Sequence, residues 1–222
     1  MSKMLDHILP PMPAFLDMVS AQAELLAKCM LTAADCLTDP DPIRFQALAD
    51  IERSAKELRQ RHLDKLSDSY STPIDRTDLL QAINSLETPV EAMVEAMEEM
   101  RALQVTSDNY CLEMAVVMRE AASALERGYS KLATKPGLAK PDAEMAIQCP
   151  NTVDKIYRKG IAKLFTVDPD DVRTRDPEIQ IATFIHTVEI LKRREAYRHL
   201  RNISGQVGDA AEVLHSIVMQ IG

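Results

Sequence analysis

The stretch 71–87, STPIDRTDLLQAINSLE, decides how this chain is read. It passes from turn-forming residues straight into an apolar pattern with helical spacing. Two capping schemes fit it. With Thr72 as N-cap, Pro73 takes the first helical position, where its missing N–H has no partner to lose. With Asp75 as N-cap, Asp78 stands three residues on, as in a capping box, and Ile74 and Leu79 form a hydrophobic staple. In both schemes Asp75 and Asp78 lie near the positive end of the helix dipole, each worth a few tenths to about 1 kcal/mol. Helix formation alone therefore explains Thr72, Pro73 and Asp75, and no ligand is needed. Beyond them Leu79, Ile83, Leu86, Val90, Met93, Met97 and Met100 recur in steps of four and three, the spacing of a bundle seam. A helix over about 75–104 follows, and the seam methionines face a core.

Working outward, the same logic yields further helices over about 13–38, 42–69, 107–132 and 143–166, and a last one from about 177 towards the end. The 42–69 helix starts after DPDP, where Asp and Pro suit a helix start. The 107–132 helix repeats the seam with Cys111, Ala115, Met118, Ala122, Leu125, Tyr129 and Leu132. TKPGLAKPD (134–142) reads as a loop, and Gly205 and Gly208 as an interruption of the last helix. No strand-like alternation competes. Short joints favour antiparallel neighbours, so the expected fold is all-α, six long helices in two three-helix bundles, 1–104 and 105–222.

Composition agrees. Hydrophobic residues make up 46% of the 222 residues, enough for a sizeable core, while aromatics are 4%, Gly numbers six and Trp is absent. A formal charge of −8 argues against nucleic acid as a partner. Cys29, Cys36, Cys111 and Cys149 form no CxxC pair and read as small buried residues in a reducing compartment. The prolines and Asp6 near the start do not suit a signal peptide, and no apolar run approaches a membrane span. A cytoplasmic protein is the expectation.

Glu87, Glu91 and Glu95 recur every four residues and stack on one helix face. Such a face is either solvated and relieved by neighbouring cations, or a carboxylate site for a hard cation. EVLH (212–215) is a single Glu-x-x-His, where a di-iron bundle needs two plus two further Glu. His62 interrupts an apolar face and reads as a half-buried residue with its polar atoms satisfied. No Gly-rich phosphate loop, nucleophile elbow or catalytic triad spacing is present. LKRREAYRHLR (191–201) is the main basic run, either a solvated face or a contact to an acidic partner or lipid headgroups.

TPIDRTDLL within a helical chain of this length resembles the PhoU-like Pit-accessory proteins, relatives of the phosphate-uptake regulator PhoU. DKIYRKGIAKLF (154–165) and DAAEVLHSIVMQ (209–220) extend the resemblance over most of the chain. It implies two three-helix bundles and a non-enzymatic regulatory or accessory role in inorganic phosphate transport. The implied partner is a phosphate transporter or other membrane protein at its cytoplasmic face, with localisation extending to the periphery of the inner membrane, and homo-oligomers within its range. It also implies acid-x-x-x-acid motifs that bind metal. Here DIERSAKEL supplies Glu52 but then Lys56, and SLETPVEAM supplies both acids, Glu87 and Glu91. CPNTVDKIY supplies only Asp154, after Pro150, and HLRNISGQVGDAAE has Arg201 and Gly205 in the acid positions. The candidate metal residues are therefore Glu52, Glu87, Glu91 and Asp154, in an incomplete motif that implies no resident cofactor, or at most a weakly held divalent or ferric ion. Lys56 is expected to neutralise Glu87 or Glu91. A carboxylate metal-binding bundle and a general helical interaction module are the alternative functions.

Overall fold

The structure, a computed structural model, describes residues 12–69, 72, 74–166 and 177–221. Its helices are α1 (Met12–Thr38), α2 (Pro42–Asp68), α3 (Arg76–Ala102), α4 (Asn109–Leu132), α5 (Lys140–Ile147), α6 (Cys149–Leu164) and α7 (Pro177–Ile221). A 3₁₀ turn, Pro136–Ala139, precedes α5. No strand occurs among the described residues. α5 and α6 are consecutive pieces of the fifth helical segment, broken at Gln148.

The second capping scheme is the one adopted. Asp75 caps α3 by accepting from the Thr77 N–H at 2.8 Å, and Ile74 and Leu79 on either side of the cap are both buried. Pro73 lies outside the described residues. Asp78 does not close a box within its own helix; its carboxylate accepts from Gln220 of α7 at 2.6 Å. Asp41 and Asp108 cap α2 and α4 in the same manner. α3 ends in a Schellman motif, with the Val105 N–H bonded to the Met100 carbonyl and the Gln104 N–H to that of Arg101. Gln104 takes the left-handed position at φ 54°.

α1, α2 and α3 pack on one another, as do α4, α5/α6 and α7. The two groups share one core because α1 also lies against α4, and α3 against α7. Met93, Met97 and Met100 are buried in that core with Leu26, Met118, Leu125 and Leu214.

Three expectations change. The 134–142 segment is not an open loop, because its prolines start helices: Pro136 opens the 3₁₀ turn and Pro141 sits in the first turn of α5. α7 runs through Gly205 and Gly208 without a break. Gly208 is required by packing, since a Cβ there would stand 2.4 Å from Cγ of Pro150 on α6. His62 is fully buried rather than half-buried, and its Nδ1 has no hydrogen-bond partner among the described residues. Burial pushes its ring down to about 4, helped by Arg61 and Lys65.

Candidate functional site

Helical spacing brings together three of the four sequence-predicted acids. On α2, Glu52, Lys56 and Arg59 follow one another at steps of four and three; on the adjacent α3, Asn84, Glu87 and Glu91 follow at steps of three and four. Lys56 Nζ lies 2.7 Å from Glu52 Oε1 and 3.0 Å from Glu91 Oε1. Arg59 Nε donates to Asn84 Oδ1 at 3.1 Å and stands 3.9 Å from Glu87 Oε2. The hydrogen bonds to Glu52 and Glu91 hold the Lys56 ammonium well above its ordinary pKa. Glu87 is the least solvated of the three, and its carboxyl is pushed up by burial first and by Glu91 second. Glu95 is exposed. An ammonium thus stands where a cation shared by Glu52 and Glu91 would bind. As arranged, the oxygens fit their own lysine rather than a metal ion, since two cations repel at such range.

Asp154 is not part of this group. It sits on α6, facing α7, with Arg158 Nε at 2.7 Å from one carboxylate oxygen and an Arg201 guanidinium nitrogen at 2.7 Å from the other. The Arg201 guanidinium also lies over the Tyr157 ring, 4.8 Å from its centroid. Pro150, Asn151, Asp154, Arg201 and Gly205 line an open polar groove of about 570 Å³. Both sites follow one rule: where the resemblance expects an acid, a cation stands and pairs with the surviving acid.

No protein-family model matches the chain. The UPF0111 protein YkaA of Bacillus subtilis (strain 168) is 23% identical over 160 residues, which cover 71% of this chain and 70% of that protein. The crystal structure of PhoU from Pseudomonas aeruginosa matches with a TM-score of 0.57 at 18% identity, covering 93% of this chain and 96% of that one. The fold is PhoU-like. Its six helical segments and shared core are the PhoU fold, as the heptad-like seams and the TPIDR junction led one to expect.

Other charged groups of this PhoU-like bundle were not foreseen. His199 Nε2 lies 3.0 Å from Glu99 Oε2 and 3.7 Å from Glu195 Oε1, joining α3 to α7, while Arg198 takes the same Glu195 oxygen. Asp142 at the start of α5 is buried and receives both Arg127, at 3.2 Å, and Lys131 from α4. Asp108 divides its carboxylate between capping α4 and accepting from the Tyr197 hydroxyl of α7. Part of each was local, since Arg127 and Lys131 stand one turn apart, Glu195 stands one turn before His199, and Asp108 precedes a helix; Asp142, Glu99 and Tyr197 are joined to them only by packing. Glu212 and His215 belong to no cluster of three possible metal ligands among the described residues.

Nucleophilic chemistry has no support in the cysteines. All four are buried, and burial pushes Cys29, Cys111 and Cys149 up to about 12 and Cys36 up to about 11. A thiol so placed carries almost no thiolate at neutral pH.

Proposed function

We propose that this chain is a non-enzymatic accessory or regulatory protein of inorganic phosphate transport. It docks a helical face onto the cytoplasmic side of a membrane transporter and biases the transporter between conformations. The observation that carries the reading is the PhoU fold over 93% of the chain, together with the YkaA relative over 71% of it. PhoU-like homology supports a regulatory role in phosphate transport in general; the transporter, its Pit type and the membrane-peripheral location belong to this proposal. The buried, unreactive thiols support a role without catalysis. The internal cations Lys56 and Arg201 support a role that needs no metal cluster. No helix among the described residues is long and apolar enough to cross a membrane, and in this proposal the partner supplies the transport path.

The test pairs deletion of the gene with capture of partners by crosslinking in cells. Phosphate uptake is expected to shift on deletion, and the tagged chain is expected to recover a phosphate permease. Unchanged uptake at low and high phosphate, with no permease recovered, overturns the proposal. Stoichiometric iron, zinc or manganese in protein purified without chelator would move the reading to a metal-binding bundle.

A further inference from the structure

Part of the basic run of α7 finds basic neighbours on α6. On α6, Lys155, Arg158 and Lys159 are exposed and fall within about 100° of arc, away from the buried Val153 and Gly160. On α7, Arg194, Arg198 and Arg201 are exposed and fall within about 60° of arc, away from the buried Ala196, Leu200 and Val207. Arg201 reaches across to Asp154 of α6, so the two arcs lie side by side. Lys192 and Arg193 do not belong to this face: Lys192 pairs with Glu189, and Arg193 Nε is buried.

These six cations share the outward face of α6 and α7 with two acids, Asp154 and Glu195. Arg158 and Arg201 divide the one carboxylate of Asp154, and Arg198 takes Glu195. Lys155, Lys159 and Arg194 form no ion pair among the described residues. In a chain of net charge −8 this excess is a local reversal of sign, so an anionic partner is attracted here and repelled elsewhere.

Shape and extent decide the kind of partner. Between α6 and α7 lies the open groove of about 570 Å³, lined by Asn151, Asp154, Arg201, Asn202 and Gly205 among others. The Asn151 and Asn202 side chains are exposed and make no hydrogen bond among the described residues. Each amide offers a donor and an acceptor, as a peptide unit requires, whereas a phosphate group uses the donor alone. From Arg194 to Gly205 the face runs for about 17 Å. Beyond it Asp209 and Glu212, both exposed, stand two and three turns past Arg201 on the same side of α7. A bilayer or a nucleic-acid duplex laid along α7 spreads onto those acids and is repelled. A short peptide stays clear of them, since about 17 Å is the length of about five extended residues.

We infer that the α6–α7 face is a docking site for a short acidic peptide segment of a partner protein. The carboxylates of the segment meet Lys155, Arg158, Arg194 and Arg198, and its backbone hydrogen-bonds to Asn151 and Asn202 in the groove. Arg201 stays held by Asp154 and the Tyr157 ring. This deepens the docking reading above by giving the chemistry of the partner, and it rests on that reading only for which protein carries the segment. Unchanged phosphate uptake on deletion of the gene would not alter peptide binding, so the two fail separately.

The test is calorimetry of the full chain with hexaglutamate, and with hexaglutamine as the neutral control. Hexaglutamate is expected to bind at low salt at least tenfold tighter than hexaglutamine, and to weaken at least tenfold at high salt. K155E/R194E reverses one unpaired charge on each helix and is expected to lose at least tenfold of the affinity. N151A/N202A keeps every charge and is expected to lose several-fold. All four side chains are exposed, so unchanged thermal melts confirm that both variants fold. No binding of hexaglutamate at low salt, equal binding of the two peptides, or equal binding by the wild type and K155E/R194E overturns the inference. Full affinity in N151A/N202A overturns it too, because the face would then read charge alone. Binding of phosphatidylglycerol vesicles that K155E/R194E abolishes assigns the face to lipid, and a wild-type dimer that K155E/R194E converts to monomer assigns it to a second copy; either overturns the inference. A tenfold gain in D168N/D170N/D171N does so as well, because the chain's own acids would then compete for the face.

Discussion

Lys56 is the residue on which the charge logic of the first site turns, and Lys56→Glu is the substitution that strains it most. The ammonium bridges Glu52 at 2.7 Å and Glu91 at 3.0 Å, both partly exposed. Pairs of that kind contribute about 0.2–1 kcal/mol each, so their loss costs roughly 0.5–2 kcal/mol. The new carboxylate adds an i,i+4 repulsion with Glu52 of about 0.2–0.5 kcal/mol and a similar one with Glu91 across the helix pair. The sum is about 1–3 kcal/mol at low ionic strength. In a protein of this size each kcal/mol moves Tm by about 2–4 °C, so the expected drop is about 2–12 °C.

The assay is thermal unfolding at low and at high salt, with and without a divalent cation. At about 1 M salt, where the Debye length is near 3 Å, the deficit should fall by half or more. Lys56→Met keeps the stem without the charge and should sit between the wild type and Lys56→Glu. The introduced carboxylate joins those of Glu52, Glu87 and Glu91 on two adjacent helices, so manganese or magnesium should restore the Tm of the variant and leave the wild type unmoved. Three results refute the reasoning: melting of Lys56→Glu within about a degree of the wild type at low salt, an equal drop for Lys56→Met, or an equal response of both proteins to the metal.

Two further outcomes follow from the packing. His62 stays neutral in the folded chain down to about pH 4, whereas the unfolded chain takes up a proton near 6.5. As pH falls through that window the unfolded state binds more protons, so stability is lost, by up to about 3 kcal/mol from this residue. Urea unfolding at pH 7 and near pH 4.5 should therefore show a smaller acid loss in His62→Gln than in the wild type. On α7, Gly208→Ala places a Cβ 2.4 Å from the Pro150 ring and should destabilise by about 1–3 kcal/mol. Gly205→Ala, with nothing within 4 Å, should stabilise by about 0.5–1 kcal/mol. Opposite signs three residues apart on one helix are what denaturant melts should find.

The seam of α3 was legible because its period is a property of the chain itself. Seven residues from Leu79 to Met100 share one face whatever the helix packs against, and Asp75 needs only its own N–H neighbours to act as a cap. The errors lie where a local rule met a tertiary fact. Gly208 looks like a helix breaker until Pro150, 58 residues away, is known to press against it. Pro136 and Pro141 look like interruptions until each is seen to begin a helix. His62 showed its face by periodicity, but depth along that face depends on the helices laid over it.

The candidate site divides along the same line. Lys56 was readable as a neutralising residue for Glu87 or Glu91 because it stands where the resemblance expects an acid, and Glu91 is the one it reaches. Its actual partners, Glu52 and Glu91, needed only the α2–α3 hairpin. Arg201 stood in the sequence as a lost acid, and nothing local joined it to Asp154, 47 residues earlier. Only the packing of α6 on α7 does so. The physical demand is nonetheless the same at both places. A carboxylate less than a quarter exposed, such as Asp154 at 23%, is poorly hydrated and needs a countercharge. Lys56 and Arg201 supply it from the protein, which makes the charge balance of each helix pair independent of any ion the solution provides.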